Sequence, residues 1–114
     1  MLITITVCAR DAEYWVKDCL SSLCAQDHRP LQIIAVDDGS NDSTLEQMQS
    51  FLPPQEDDIE LLVLSQERIG LSAGRNRAVN AAAGEWIAIT DIDCRPDPHW
   101  ISEMLSQLPG LDGE

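Results

Sequence analysis

Basic residues are scarce in this chain: seven lysines and arginines stand against twenty aspartates and glutamates in 114 residues, a formal net charge of -13. A protein of that sign repels a phosphate backbone, which argues against general nucleic-acid binding. Long hydrophobic runs are lacking too, and no stretch approaches the ~18 to 20 uninterrupted apolar residues of a membrane-spanning helix. The apolar opening MLITITVCAR has no basic leader and alternates Ile, Thr and Val, the pattern of a first strand rather than of a signal peptide. The expected location is the cytoplasm, or the inner face of a membrane for a longer polypeptide. No C-x-x-C joins the four cysteines, Cys8, Cys19, Cys24 and Cys94, so neither a zinc site nor a disulfide framework is indicated. Reduced, mostly buried thiols are expected. With 44% hydrophobic and 24% charged residues spread along it, the chain is globular, and its length is that of one domain with one core, residues 1–114.

Two kinds of hydrophobic period alternate along the chain, as in βαβ units built on a mainly parallel sheet. Strands are predicted at 2–8 (LITITVC), 31–36 (LQIIAV), 59–65 (IELLVLS) and 85–90 (EWIAIT). Between them lie helices at 12–25, with Trp15, Val16, Cys19, Leu20 and Leu23 as its apolar stripe; from Ser43, with Leu45, Met48, Phe51 and Leu52 inward; and at 72–83, stopped by Gly84. A last helix begins at 99 and stops at Pro109 and Gly110. Trp15, Trp86 and Trp100 are expected in the core, and His28 and His99 at the surface without a role.

In a parallel sheet the carboxyl ends of the strands share one edge, where ligands bind. That rule gathers Ala9, Arg10 and Asp11, then Asp37, Asp38 and Gly39, then Asp91, Ile92 and Asp93. Carboxylates crowded on one rim repel each other unless a cation or donors compensate them. Two of them spaced i and i+2 after a strand suit a hard divalent ion, Mg2+ or Mn2+, that also takes substrate phosphates. Taken alone, VDDGSND serves turn and cap chemistry as well as ligand contact, and a lone D-x-D is common on an acidic protein. Four of the arginines, Arg68, Arg75, Arg77 and Arg95, lie between positions 68 and 95 and could face a small polyanion or be solvated helix charges.

Joined in order, CLSSLCAQ (19–26), IIAVDDGSNDST (33–44), RIGLSAGRNRAVNAAAGEWIAITDIDC (68–94) and PDPHW (96–100) resemble the N-terminal half of family 2 glycosyltransferases with the GT-A fold. The resemblance spans 2 to about 108. It implies a Rossmann-like three-layer α/β sandwich and transfer of a sugar, with inversion, from a nucleotide-diphosphate donor, a UDP-sugar, to an acceptor hydroxyl. By the same resemblance Asp38 accepts the N3–H of a uracil-type base with Asp37 supporting the loop, and Cys8, Ala9 and Arg10 line the nucleoside pocket. Cys8 and Arg10 depart from the commoner family pattern. Arg75 faces the diphosphate, Asp91 approaches the ribose or a metal-bound water, and Asp93, with Asp91, ligates Mn2+ or Mg2+.

The family's catalytic base and acceptor elements fall beyond residue 114, so no catalytic residue is identified. The chain reads as a donor-binding half, incomplete after the fourth strand and its following helix; a non-catalytic nucleotide-sugar-binding module is the alternative. An unpaired fourth strand would favour homo-oligomers or poor solubility. A two-component receiver domain fits less well, because it needs a lysine after its last strand and the only lysine is Lys17. A haloacid dehalogenase-type phosphatase would carry D-x-D after its first strand, not its fourth.

Overall fold

The computed structural model describes residues 1–54 and 56–108. Eight elements alternate: β1 (Ile3–Ala9), α1 (Glu13–Cys24), β2 (Leu31–Asp38), α2 (Thr44–Gln49), β3 (Ile59–Gln66), α3 (Leu71–Ala81), β4 (Trp86–Asp91) and α4 (Trp100–Ser106). The strands form one all-parallel sheet in the order β3-β2-β1-β4. Every residue of β1 and β2 is buried, the polar Thr4, Thr6 and Gln32 included, because helices cover both their faces.

Period-2 alternation sends Ile3, Ile5, Val7 and Ala9 to one face, where they join Val16, Leu20 and Leu23 of α1, Met48 of α2 and Ile101 of α4 in the larger core. Burying each of these Ile, Val, Leu and Met side chains is worth about 1.5–3 kcal/mol. Cys8, Ile34 and Val36 point to the other face and meet Ala78 of α3. Three layers result.

The differences from expectation have local causes. Trp15 and Trp86 are not core residues; they are about half exposed. The α1 stripe that packs runs through Val16, Cys19, Leu20 and Leu23, and Trp15, one residue off that stripe, is turned to its border. Trp86 opens β4, an edge strand among the described residues. Because α3 packs on β1 and β2, the β4 side chains Ile87 and Ile89 are left exposed on that face. α2 is shorter than expected, with Thr44 and Met48 buried and Leu52 exposed; a residue preceding proline is driven out of helical geometry, and Pro53 follows Leu52. α3 ends at Ala81, so Gly84 does not stop it. A Cβ on Gly84 would lie 2.6 Å from Thr4 N and Oγ1, and the glycine is there because the chain enters β4 against β1. The expected stop of the last helix at Pro109 and Gly110 lies outside the described residues.

Candidate functional site

The strand order places the carboxyl ends of β2, β1 and β4 side by side, with Ala9 opposite Asp37 and Cys8 opposite Asp91. The chain runs outward from β1 through β2 to β3 and then crosses to the far side of β1 as β4. The reversal leaves a crevice at the ends of β1 and β4, the position at which open α/β sheets take ligands. Cys8 and Ala9 are the last residues of β1 and are buried, whereas Arg10 is exposed just beyond them.

Asp38 is fully buried at the end of β2. Its Oδ1 accepts Gln66 Nε2 at 2.9 Å, Ile69 N–H at 3.0 Å and Gly70 N–H at 3.1 Å, and the Arg10 guanidinium stands 3.6 Å from Oδ2. These donors, the Gln66 amide foremost, hold the carboxyl below its ordinary value, so it is charged near neutrality. Asp38 thereby fastens the β3–α3 loop across the end of its own strand. The loop's approach is close: Gly39 has φ +65, and a Cβ on it would fall 2.6 Å from Arg68 N. Asp37 points to the opposite face, where Oδ2 accepts Ser40 N–H at 3.4 Å and the buried Oδ1 has no partner. The rest of VDDGSND is turn and cap chemistry, for Asp42 Oδ1 accepts Thr44 N–H at 2.9 Å at the start of α2.

Asp91, the last residue of β4, faces Arg75 on α3 at 3.4 Å. Asp93 and Cys94 follow in the β4–α4 connection, and the ligand atoms of Asp91, Asp93 and Cys94 lie within 4.8 Å of one another, all three residues exposed. Two carboxylates at that separation fit a hard divalent cation such as Mn2+ or Mg2+, with open positions left for other oxygens. Cys8 lies beside Asp38 and Arg75; burial first, and then the Asp38 charge, push its thiol up to about 11, so it is neutral. The rim therefore places buried Asp38, a neutral thiol, one arginine and two exposed acids along one edge.

The four later arginines do not form one cluster. Arg75 alone meets the D-x-D acids. Arg68 pairs with Asp11 at 2.8 Å, Arg95 with Asp18 at 3.6 Å, and Arg77 donates to the Ser65 carbonyl. One rim residue, Gln66, escaped sequence reasoning, and a second, Asp11, was placed on the rim without its role. Gln66 is opposite Asp38 in the β2–β3 register, a pairing that needs the strand order to be known. Asp11, at φ 51, accepts Asn41 N–H at 2.7 Å while its own N–H donates to Ser40 Oγ at 2.9 Å. With Arg68 it ties three loops together, and the only sequence signal was its place after the first strand.

The fold is that of the GT-A glycosyltransferases. The mannosyltransferase PcManGT of Pyrobaculum calidifontis, solved in complex with GDP-Man and Mn2+, superposes with a TM-score of 0.84 at 24% identity, over 94% of this chain and 32% of that one. S. aureus TarS in complex with UDP-GlcNAc gives 0.81 at 24% identity, over 93% and 30%. The family model described as Glycosyl transferase family 2 matches residues 4–110, and the chain belongs to that family. Glycosyltransferase GlyA of Streptococcus pneumoniae is 34% identical over 91 residues, 80% of this chain but 13% of GlyA. The chain thus spans a third or less of the length of each of these relatives. Among the described residues no helix is long and apolar enough to cross a membrane.

Proposed function

We propose that residues 1–114 form the donor-binding domain of a metal-dependent glycosyltransferase, which moves a sugar from a UDP-sugar to an acceptor hydroxyl with inversion. The observation that carries the reading is the gathering of Asp38, Cys8, Arg75, Asp91 and Asp93 on one sheet edge at the strand-order reversal. Asp38 takes the base N3–H, exchanging it for the distant Arg10 guanidinium at Oδ2, while Asp37 steadies the loop through Ser40. Cys8, Ala9 and Arg10 line the nucleoside; a neutral Cys8 thiol adds no charge to repel it. The Arg75–Asp91 pair is exposed on both sides and worth little by itself, so Arg75 is free to turn its fork of donors onto the diphosphate. Asp93 and Asp91 hold Mn2+ or Mg2+. When bound, the ion supplies positive charge to a diphosphate that gathers negative charge as the glycosidic bond breaks.

The relatives' complexes with UDP-GlcNAc and with GDP-Man and Mn2+ support the substrate class. Calorimetric titration of the chain with UDP, with and without Mn2+, tests the binding reading, and UDP release from UDP-sugars tests turnover. Metal-enhanced binding without release favours a nucleotide-sugar-binding module over an active half. Absence of both refutes the reading and leaves the family membership alone standing.

A further inference from the structure

We propose that Gln26 is a positioning residue for the metal-binding acids, acting through the β4–α4 connection; the inference rests on the donor-site reading above. Gln26 lies just past α1 and is 1% exposed. Its Nε2 donates to Asp97 O at 2.7 Å and to Ser22 O at 3.3 Å, and its Oε1 accepts Ile101 N–H at 3.1 Å. The neighbouring Asp27 N–H donates to Pro98 O at 2.9 Å. α4 begins with no side-chain cap from His99, so a glutamine from just beyond α1 supplies the acceptor that its second amide lacks. The far end of the β4–α4 connection is thereby stitched to α1.

The near end is fixed by the sheet, through the pairing of Asp91 with Cys8. Asp93 lies between these anchors. It is exposed, and its side-chain hydrogen bond is a weak one from the Cys94 thiol at 3.8 Å, so backbone anchoring sets where its carboxylate stands relative to Asp91. Releasing the Asp97 carbonyl and the Ile101 amide leaves the far end of the connection held only through Asp27, which bonds Pro98 O and His99, and ordering the looser connection then opposes metal binding. The requirement is for an amide. Methionine presents neither donor nor acceptor, and an ionised glutamate presents no donor to the Asp97 carbonyl.

The test is the affinity of the chain for UDP, measured with and without Mn2+, in the unsubstituted protein, Gln26→Met and Gln26→Glu. Both variants should keep the metal-free UDP affinity, because the nucleoside end of the rim is built on β1, β2 and α3. The gain conferred by Mn2+ should fall about tenfold, the lower end for residues that orient metal ligands indirectly. Gln26→Glu keeps side-chain volume and the acceptor for Ile101, and it carries the test if Gln26→Met does not fold. A third readout needs no substitution: Mn2+ with UDP should slow amide exchange at Ile101, because the coupling is reciprocal. A folded variant with the full Mn2+ gain, parallel loss of metal-free and metal-dependent binding, or unchanged Ile101 exchange overturns the inference. No Mn2+ gain in the unsubstituted chain instead sinks the donor-site reading, a failure visible before any substitution.

Discussion

Replacing Gly74 by alanine should show how closely α3 is pressed on the sheet. A Cβ built on Gly74 lies 2.3 Å from Cys8 Sγ, with Gln66 Nε2 at 3.3 Å and Val36 Cγ1 at 3.4 Å. Optimal carbon contacts fall at about 3.5–4.0 Å, so the sulfur is more than an ångström too near, and Cys8 is fixed in β1 with both faces packed. The Cys8 sulfur must turn into an already packed neighbourhood, α3 lift or β1 bend, at about 3 kcal/mol, the upper range for overpacking. Against this, alanine is favoured over glycine inside a helix by about 1 kcal/mol. The net destabilisation expected is about 2 kcal/mol. In a Cys8→Ala background the offending sulfur is gone, and the same substitution should become neutral or stabilising by up to about 1 kcal/mol. The two sites would then couple by roughly 2 to 3 kcal/mol, the upper part of the range for residues in contact. Urea unfolding of the four proteins, followed by tryptophan fluorescence, measures the cycle. A Gly74→Ala protein as stable as its parent, or a coupling below about 0.5 kcal/mol, would refute the claim that Cys8 dictates this glycine.

Further outcomes are expected elsewhere in the molecule. Asp93→Asn should abolish the Mn2+-dependent part of UDP binding while leaving the metal-free part, read by the same titration. Arg75→Ala should weaken UDP by roughly 1.5 kcal/mol, about tenfold in Kd, and leave uridine unaffected, because its partner is the diphosphate; equal losses for both would place Arg75 elsewhere. Alkylation of the folded chain should modify Cys94 first, since it is exposed, and Cys19 last, since burial pushes that thiol up to about 12; mass spectrometry over time reads the order. His99 and Asp27 meet at 2.6 Å, and their hydrogen bond raises the imidazole above its ordinary 6.5 and lowers the carboxyl below its ordinary 3.8. The histidine's contribution is complete below 6.5 and lost as pH rises through the raised value, while the aspartate's is complete above 3.8 and lost as pH falls. His99→Ala should therefore lower the melting temperature more at pH 5 than at pH 9, and an equal shift at both would remove the pair from the stability of the α4 junction.

Much of the rim was legible because the period of each segment names its element and parallel connections leave strand ends on one edge. Asp37, Asp38 and Asp91 follow directly from that logic. The partners of Asp38 did not: Gln66, Ile69 and Gly70 come from a strand and loop about thirty residues downstream. The role expected of His99 also changed, for it is a surface residue, as read, yet it is engaged with Asp27. Trp15 and Trp86 show a limit of another kind. An apolar stripe says which way a helix or strand faces but not how far its covering layer extends: Trp86 shares the face of Ile3, where the layer of α1, α2 and α4 leaves it half exposed, and on the other face α3 stops short of Ile87 and Ile89.

The sequence by itself determined the alternation of strands and helices and the acids at the strand ends, because these depend on local period and chain direction. Only the tertiary structure decided that β4 returns beside β1, that Gly74 exists for Cys8, and that a buried glutamine after α1 anchors the chain beyond β4. Each of those is a contact between segments distant in sequence, and residue identity along one segment carries no record of what another segment brings against it.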